Sequence, residues 1–271
     1  MRGVNRILGF FRTTRAGSTT NLAMRSPKSI QTRLPLCVSK KQLSSLENWP
    51  ETTQYELMFA KKSGLPIPYF PINHSAIALA NHEDGTYAIY GRQSPFNFSL
   101  WARDGIGFNT RKDNELRYLN DNFSFTLYPT GVFFSKDEID FFLNSADVTI
   151  NQAQACNMIN SNCYSYSTTA MSYALQSLLL RPNFDYYAAR QIIQVMNEHP
   201  LRDYCSFGVL NNQVVVDSLL SAFNATKKRI CSLDSHSDDA KKLLIDTEKL
   251  IDRVNSESQK YRICSLISNS R

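Results

Sequence analysis

The stretch HSAIALANHEDGTYAIYG, residues 74–91, decides the fold class of this chain. Residues 74–80 and 86–91 are strand-like in composition. The segment between them contains the Asp84-Gly85 step, which is typical of tight hairpins. The stretch therefore predicts two antiparallel strands joined by a short turn.

Two further strands are predicted downstream of this hairpin. Residues 122–128 alternate apolar and polar side chains with period two, which indicates a half-buried strand. The Pro-Thr-Gly segment at 129–131 predicts a turn, and residues 132–134 then form a fourth strand.

Helices are predicted both before and after these strands in the sequence. Residues 53–62 read as a short helix, and Ser135 with Glu138 forms a capping box before another. The strongest helix opens at Cys163, because its apolar residues recur on one helical face. The remaining predictions are helices at 184–198, 217–230 and 238–263. Residues 209–216 are ambiguous, and Asn211-Asn212 suggests a turn between two short strands. The fold class is thus α+β, and the charged last helix is expected to be peripheral or partner-binding.

The net charge of +6 is unevenly distributed over the 271 residues. Residues 1–46 hold nine Lys and Arg and no acid, so the remainder carries −3. The folded part therefore gives no argument for nucleic-acid binding. The basic segment fits a disordered leader, a membrane-surface segment or an organellar transit peptide, and the sequence does not separate these.

The six cysteines form no CxxC pair and no zinc-type spacing with histidine, so no metal or other cofactor is expected. A chain of this length with ample core residues does not need disulfides, so reduced thiols are predicted. The sequence contains no apolar run of transmembrane length and no secretory h-region.

The residues that point to chemistry are Cys163 and His74. Cys163 is predicted in the first turn of a helix, where the helix dipole favours a thiolate and backbone N–H groups can hold an oxyanion. His74 opens a predicted strand, from which an imidazole can take the thiol proton. Cys156 is a rival nucleophile, but its surroundings are polar and loop-like.

The order of these motifs resembles the circularly permuted papain-like thiol enzymes, which include lecithin–retinol acyltransferase-like proteins and cell-wall amidohydrolases. The resemblance covers roughly residues 65–180: a histidine opening a strand, a return strand, a strand before a capped helix, and Asn162-Cys163 opening a long helix. It implies that Cys163 is the nucleophile and His74 the general base. It also implies an antiparallel sheet packed on the nucleophile-bearing helix.

The family has a third polar residue that orients the imidazole. Across the hairpin His74 is expected opposite Arg92 or Gln93, and only Gln93 can accept an imidazole N–H. Asp84 and Asp104 are alternatives, and Asn162 is expected to cap its helix. The aromatic residues Phe96, Phe98, Trp101 and Phe108 either line an acyl or peptide groove or belong to the core.

The sequence thus predicts a basic leader at 1–46, a papain-like catalytic domain at 47–224 and a helical extension at 225–271. The expected activity is acyl transfer through a Cys163 thioester, on a protein, peptide or lipid substrate. The extensions and the Asn/Ser-rich composition also suggest a bacterial effector secreted into a host cell, and contact with an anionic membrane is one of the alternatives for its leader. The alternative is a non-catalytic protein that binds a membrane or a partner.

Overall fold

The computed structural model describes most of one compact unit, Arg33–Arg271. The described residues are 36–38, 42–44, 46–62, 66–67, 70–71, 74–93, 108–109, 125–153, 163–201, 209–233 and 237–269. For some residues within these segments, His74 and Gln93 among them, the description covers the backbone alone.

The fold is α+β, and its centre is an antiparallel sheet with strand order β1-β9-β2-β5-β6. Short strand pairs β3–β4 and β7–β8 accompany this sheet. The strands are β1 (Leu36–Val38), β2 (Tyr55–Lys62), β3 (Pro66–Ile67), β4 (Phe70–Pro71), β5 (His74–Asn81), β6 (Thr86–Tyr90), β7 (Arg92–Gln93), β8 (Phe108–Asn109) and β9 (Phe125–Phe134). The helices are α1 (Lys136–Ala153), α2 (Cys163–Leu180), α3 (Tyr186–Glu198), α4 (Gln213–Ser232) and α5 (Asp238–Asn269).

The prediction of a helix at 53–62 was wrong, because this segment is β2, the central strand of the sheet. Both faces of β2 are buried, so the strand lacks the alternation of apolar and polar residues that marks a half-buried strand. Leu57 and Phe59 belong to the core on the helical side, while Met58 and Ala60 belong to a second core on the other side. A short continuous apolar run fits a buried strand as well as a helix.

The predicted hairpin is confirmed, and β5 pairs with β6 from Ile77–Tyr90 to Asn81–Thr86. Gly85 adopts a φ of 69° in the connecting turn, a conformation that glycine reaches without strain. Asp84 accepts hydrogen bonds from the backbone N–H and the hydroxyl of Thr86. Asp84 and Gly85, whose sequence predicted the turn, therefore also stabilise it.

The two strands predicted around residues 129–131 are one strand, β9, with a bulge opposite Leu57 and Met58 of β2. The bulge is held by side chains: the Thr130 hydroxyl donates to the Leu57 carbonyl oxygen at 2.6 Å, and the Gly131 N–H donates to Glu56 Oε1 at 2.7 Å. Glu56 is completely buried. A side-chain donor, Thr130, and a side-chain acceptor, Glu56, thus satisfy the backbone groups that leave the ladder, so the chain continues as a strand instead of turning.

The capping box of α1 is confirmed, and its glutamate also anchors the end of α2. The Ser135 N–H donates to Glu138 Oε2 at 2.9 Å, and the Glu138 N–H donates to Ser135 Oγ at 3.3 Å. Arg181, just after α2, donates to both Glu138 oxygens at 2.7 and 3.0 Å and to the Phe133 carbonyl oxygen at 2.7 Å. One guanidinium therefore joins the ends of β9 and α2 to the start of α1.

The C-terminal helices differ in part from expectation. Residues 209–216 contain a helical turn at 209–210 and the start of α4, so the predicted short strands were wrong. The Asn pair that suggested a turn supplies an N-cap, because Asn212 accepts from the Val214 N–H at 3.1 Å. Helix α5 packs against α3 and α4, with Leu243, Leu250 and other apolar side chains buried.

The predicted domain boundary at 224/225 falls inside α4. Most of the leader at 1–46 lies outside the described residues. No helix in the described part of the chain combines the length and the apolar character that a membrane-spanning helix needs.

Replacement of Arg181 by alanine is expected to lower the free energy of unfolding by about 2 kcal/mol, since it leaves the partly buried Glu138 without its charged donor. Urea denaturation followed by far-ultraviolet circular dichroism measures this change. Lys227→Ala is the matched control, because the Lys227–Glu248 pair is exposed, and it should leave the transition unchanged. Equal transitions in the two variants would contradict the role given to Arg181.

Candidate functional site

Cys163 is the first residue of α2, as the sequence predicted. Its side chain is partly exposed and is not part of a disulfide. It packs at the border of the main core, while Tyr164 and the next six residues are buried. The thiol therefore lies where a buried helix begins, and it is partly accessible to solvent.

Helix α2 is enclosed by the sheet and by other helices. It contacts β5, α1, α3 and α4, and both polar and apolar side chains along it are buried. Three hydroxyl pairs tie α2 to three different neighbours. They are Ser167–Ser75 of β5 at 2.9 Å, Ser172–Ser218 of α4 at 2.6 Å and Tyr173–Thr149 of α1 at 2.7 Å.

The Ser75–Ser167 pair brings the start of β5 to the beginning of α2. Ser75 directly follows His74 in β5, and Ser167 lies four residues after Cys163 in α2. Both serines are completely buried. The bond therefore places the backbone of His74 near the N-terminal turns of α2.

The side chain of His74 lies outside the described residues, and so does that of Gln93. The backbone of His74 pairs with Lys62, and that of Gln93 pairs with Phe108 of β8. Strand β7, which carries Gln93, contacts α2. The roles of His74 as base and of Gln93 as its orienting residue stay predictions.

Asp84 does not suit the role of third catalytic residue. It lies in the hairpin turn, which follows the end of β5 opposite His74. Seven residue steps of a strand span roughly 23 Å, so its carboxylate is far from the start of β5.

Several other sequence candidates lie outside the described residues, namely Cys156, Asp104 and Asn162. The same holds for the side chains of the aromatic set Phe96, Phe98, Trp101 and Phe108.

His82 also lies at the far end of the sheet. Its Nε2 is 2.6 Å from Glu56 Oε2, and its ring is 5.8 Å from the ring of Phe133. About half of its side chain is exposed. The pair supports the β9 bulge through Glu56 and is remote from Cys163.

The structure places His199, a histidine for which the sequence predicts no role, in an aromatic cluster. His199 follows α3, and its ring lies 3.8 Å from that of Tyr128 and 5.7 Å from that of Phe59. The Phe59 ring is in turn 6.3 Å from the ring of Tyr164. In the sequence His199 is simply a residue before a proline at a helix end, and no local pattern indicates this cluster.

Among the described residues, no group of three or more His, Cys, Asp or Glu side chains is placed to hold a metal ion.

No protein-family model, no curated protein and no solved structure matches this chain. The likeness to permuted papain-like enzymes therefore rests on the order of the sequence motifs. Independently of that resemblance, the structure places Cys163 at the start of α2 and joins β5 to α2 through the Ser75–Ser167 hydrogen bond.

The Ser75–Ser167 bond is expected to contribute about 1 kcal/mol to stability. A double-mutant cycle with Ser75→Ala, Ser167→Ala and the double variant measures this coupling by urea denaturation. Ser172→Ala with Ser218→Ala gives a matched cycle for a bond farther from Cys163. The account further predicts that only the Ser75–Ser167 cycle changes the alkylation rate of Cys163. Additive effects in the first cycle would contradict the proposed attachment.

Proposed function

We propose that this protein is a cysteine-dependent acyl-transfer enzyme with a permuted papain-like arrangement, in which Cys163 is the nucleophile. The observation that carries the proposal is the partly exposed thiol at the first residue of a buried helix. The positive end of the helix dipole favours a thiolate at that position. The N–H groups of a first helical turn also point toward this end and can donate to an oxyanion.

The chemistry begins when an imidazole removes the proton from the Cys163 thiol. The thiolate attacks the acyl carbonyl carbon, a carbon–sulfur bond forms, and the bond to the leaving group breaks as the imidazolium returns the proton. Water or an amine then attacks the thioester and regenerates the thiol. The resemblance assigns the base to His74, whose backbone opens β5 beside α2.

The burial of α2 supports precision at this site. A nucleophile must be held within a fraction of an ångström of its working position, and a helix packed on several sides provides such a support. Ser167, Ser172 and Tyr173 fix α2 by hydrogen bonds in three directions. The proposal extends to substrates with an amide, ester or thioester bond. Action as a secreted effector and contact of the leader with anionic membranes stay predictions.

Cys163 is expected to react with iodoacetamide near neutral pH at least about tenfold faster than Cys231. Cys231 is the matched control, because it is more exposed but lies at the C-terminal end of α4, where the dipole has the opposite sign. Peptide mass spectrometry of the full chain measures both rates in one sample. If Cys231 reacts as fast as Cys163, the thiol has no special activation and a non-catalytic binding protein becomes the better account.

The acyl-transfer activity itself is tested with a panel of acyl-CoA thioesters. The expected result is a mass increase of one acyl group on the intact chain, reversed by hydroxylamine and located on Cys163. Cys163→Ala should abolish the adduct, whereas Cys231→Ala should retain it. An adduct that persists in Cys163→Ala would contradict the assignment of the nucleophile, and absence of any adduct across activated esters and thioesters would contradict the activity.

A further inference from the structure

The turn that carries His199 is fixed from both sides. The His199 N–H donates to the Val195 carbonyl oxygen at 3.1 Å, so the residue closes the last turn of α3. From α5, Arg253 donates to Asn197 Oδ1 at 3.0 Å and to the Leu201 carbonyl oxygen at 2.5 Å. The backbone on either side of the histidine is therefore held in place.

The course of the backbone through α2 and α3 brings His199 toward the N-terminal end of α2. Helices α2 and α3 contact each other and are joined by residues 181–185 alone, so they run antiparallel. Arg181, near the end of α2, contacts the Phe133 carbonyl, whereas His199 at the end of α3 contacts Tyr128 in the same strand. The end of α3 thus lies toward the end of the sheet at which α2 begins.

The ring contacts connect His199 to the residue after the thiol. The imidazole stacks on Phe59 with an angle of 7° between the two planes, and Phe59 also contacts Tyr164. Phe59 and Tyr164 are buried, whereas His199 and Cys163 are both partly exposed. The imidazole therefore borders an aromatic cluster that includes Tyr164, the residue after Cys163, and the Cys163 side chain packs against the same main core.

The polarity of the two helices suits an ion pair between these residues. Cys163 is at the N-terminal end of α2, where a negative charge is stabilised. His199 is at the C-terminal end of α3, where a positive charge is stabilised. Tyr128 and Phe59 add aromatic faces that attract a cationic imidazolium.

We propose that His199 takes the proton from the Cys163 thiol, a role that the sequence resemblance gives to His74. This inference rests on the proposed function, because it assumes that Cys163 is the nucleophile. In the step, the S–H bond breaks, the proton passes to an imidazole nitrogen, and the electron pair stays on sulfur. The imidazolium later gives the proton to the leaving group.

The test compares the rate of iodoacetamide alkylation of Cys163 in full-length variants near neutral pH. His199→Phe removes the nitrogens but keeps an aromatic ring against Tyr128 and Phe59, and His199→Gln is a second variant if the first fails to fold. Both should lower the Cys163 rate by at least about tenfold. The Cys231 rate in the same sample is the internal reference, and far-ultraviolet circular dichroism reports whether each variant is folded. His82→Gln is the matched control and should leave the Cys163 rate unchanged.

The outcomes separate this inference from the proposed function through a His74→Gln variant. A loss of rate in the His199 variants supports the inference, whatever the effect of His74→Gln. An unchanged rate in both His199 variants overturns it. If His74→Gln alone lowers the rate, the inference fails while the proposed function stands with His74 as the base. If Cys163 is no faster than Cys231 in the unmodified protein, both fail.

Discussion

The structure depends on the burial of α2 between the sheet and the other helices. Residues 164–172 of this helix are all buried, although seven of them carry a serine, threonine or tyrosine hydroxyl. A buried hydroxyl without a hydrogen bond is costly, so the hydroxyl pairs to β5, α4 and α1 favour one register of the helix over others. The position of Cys163 follows from that register, because the thiol lies one turn before Ser167.

A second constraint holds the opposite end of the sheet. Glu56 is buried within β2 and accepts from the Gly131 N–H, while its other oxygen contacts His82. Nearby, Arg181 joins the end of α2 to Glu138. This end contains the buried Glu56 and the Arg181–Glu138 ion pair, whereas the end with Cys163, Tyr128 and His199 leaves reactive and aromatic groups partly exposed. The buried carboxylate of Glu56 and the Arg181–Glu138 ion pair thus lie at the opposite end of the sheet from the candidate chemistry.

Local chemistry made several elements predictable. The Asp84-Gly85 turn and the Ser135–Glu138 capping box carry their signal within a few residues, and both occur as expected. Strand β2 was mistaken for a helix because its neighbours on both faces, which are distant in sequence, decide its burial. The bulge in β9 depends on Glu56, some 75 residues away, so no local sequence pattern predicts it.

The candidate site likewise combines a local feature that the sequence predicts with a feature that depends on the tertiary structure. A thiol at a helix start is a local feature, and the sequence identified it correctly. The place of His199 depends on the antiparallel return of α3 and on Arg253 of α5, so it required the tertiary structure. The central claim is that Cys163 is activated by its position. The most direct measurement is the pH titration of thiolate ultraviolet absorbance, taken as the difference between the unmodified protein and Cys163→Ala. The account predicts a thiolate signal from Cys163 already at neutral pH, and a signal that emerges only around the ordinary thiol value of about 8.5 would contradict it.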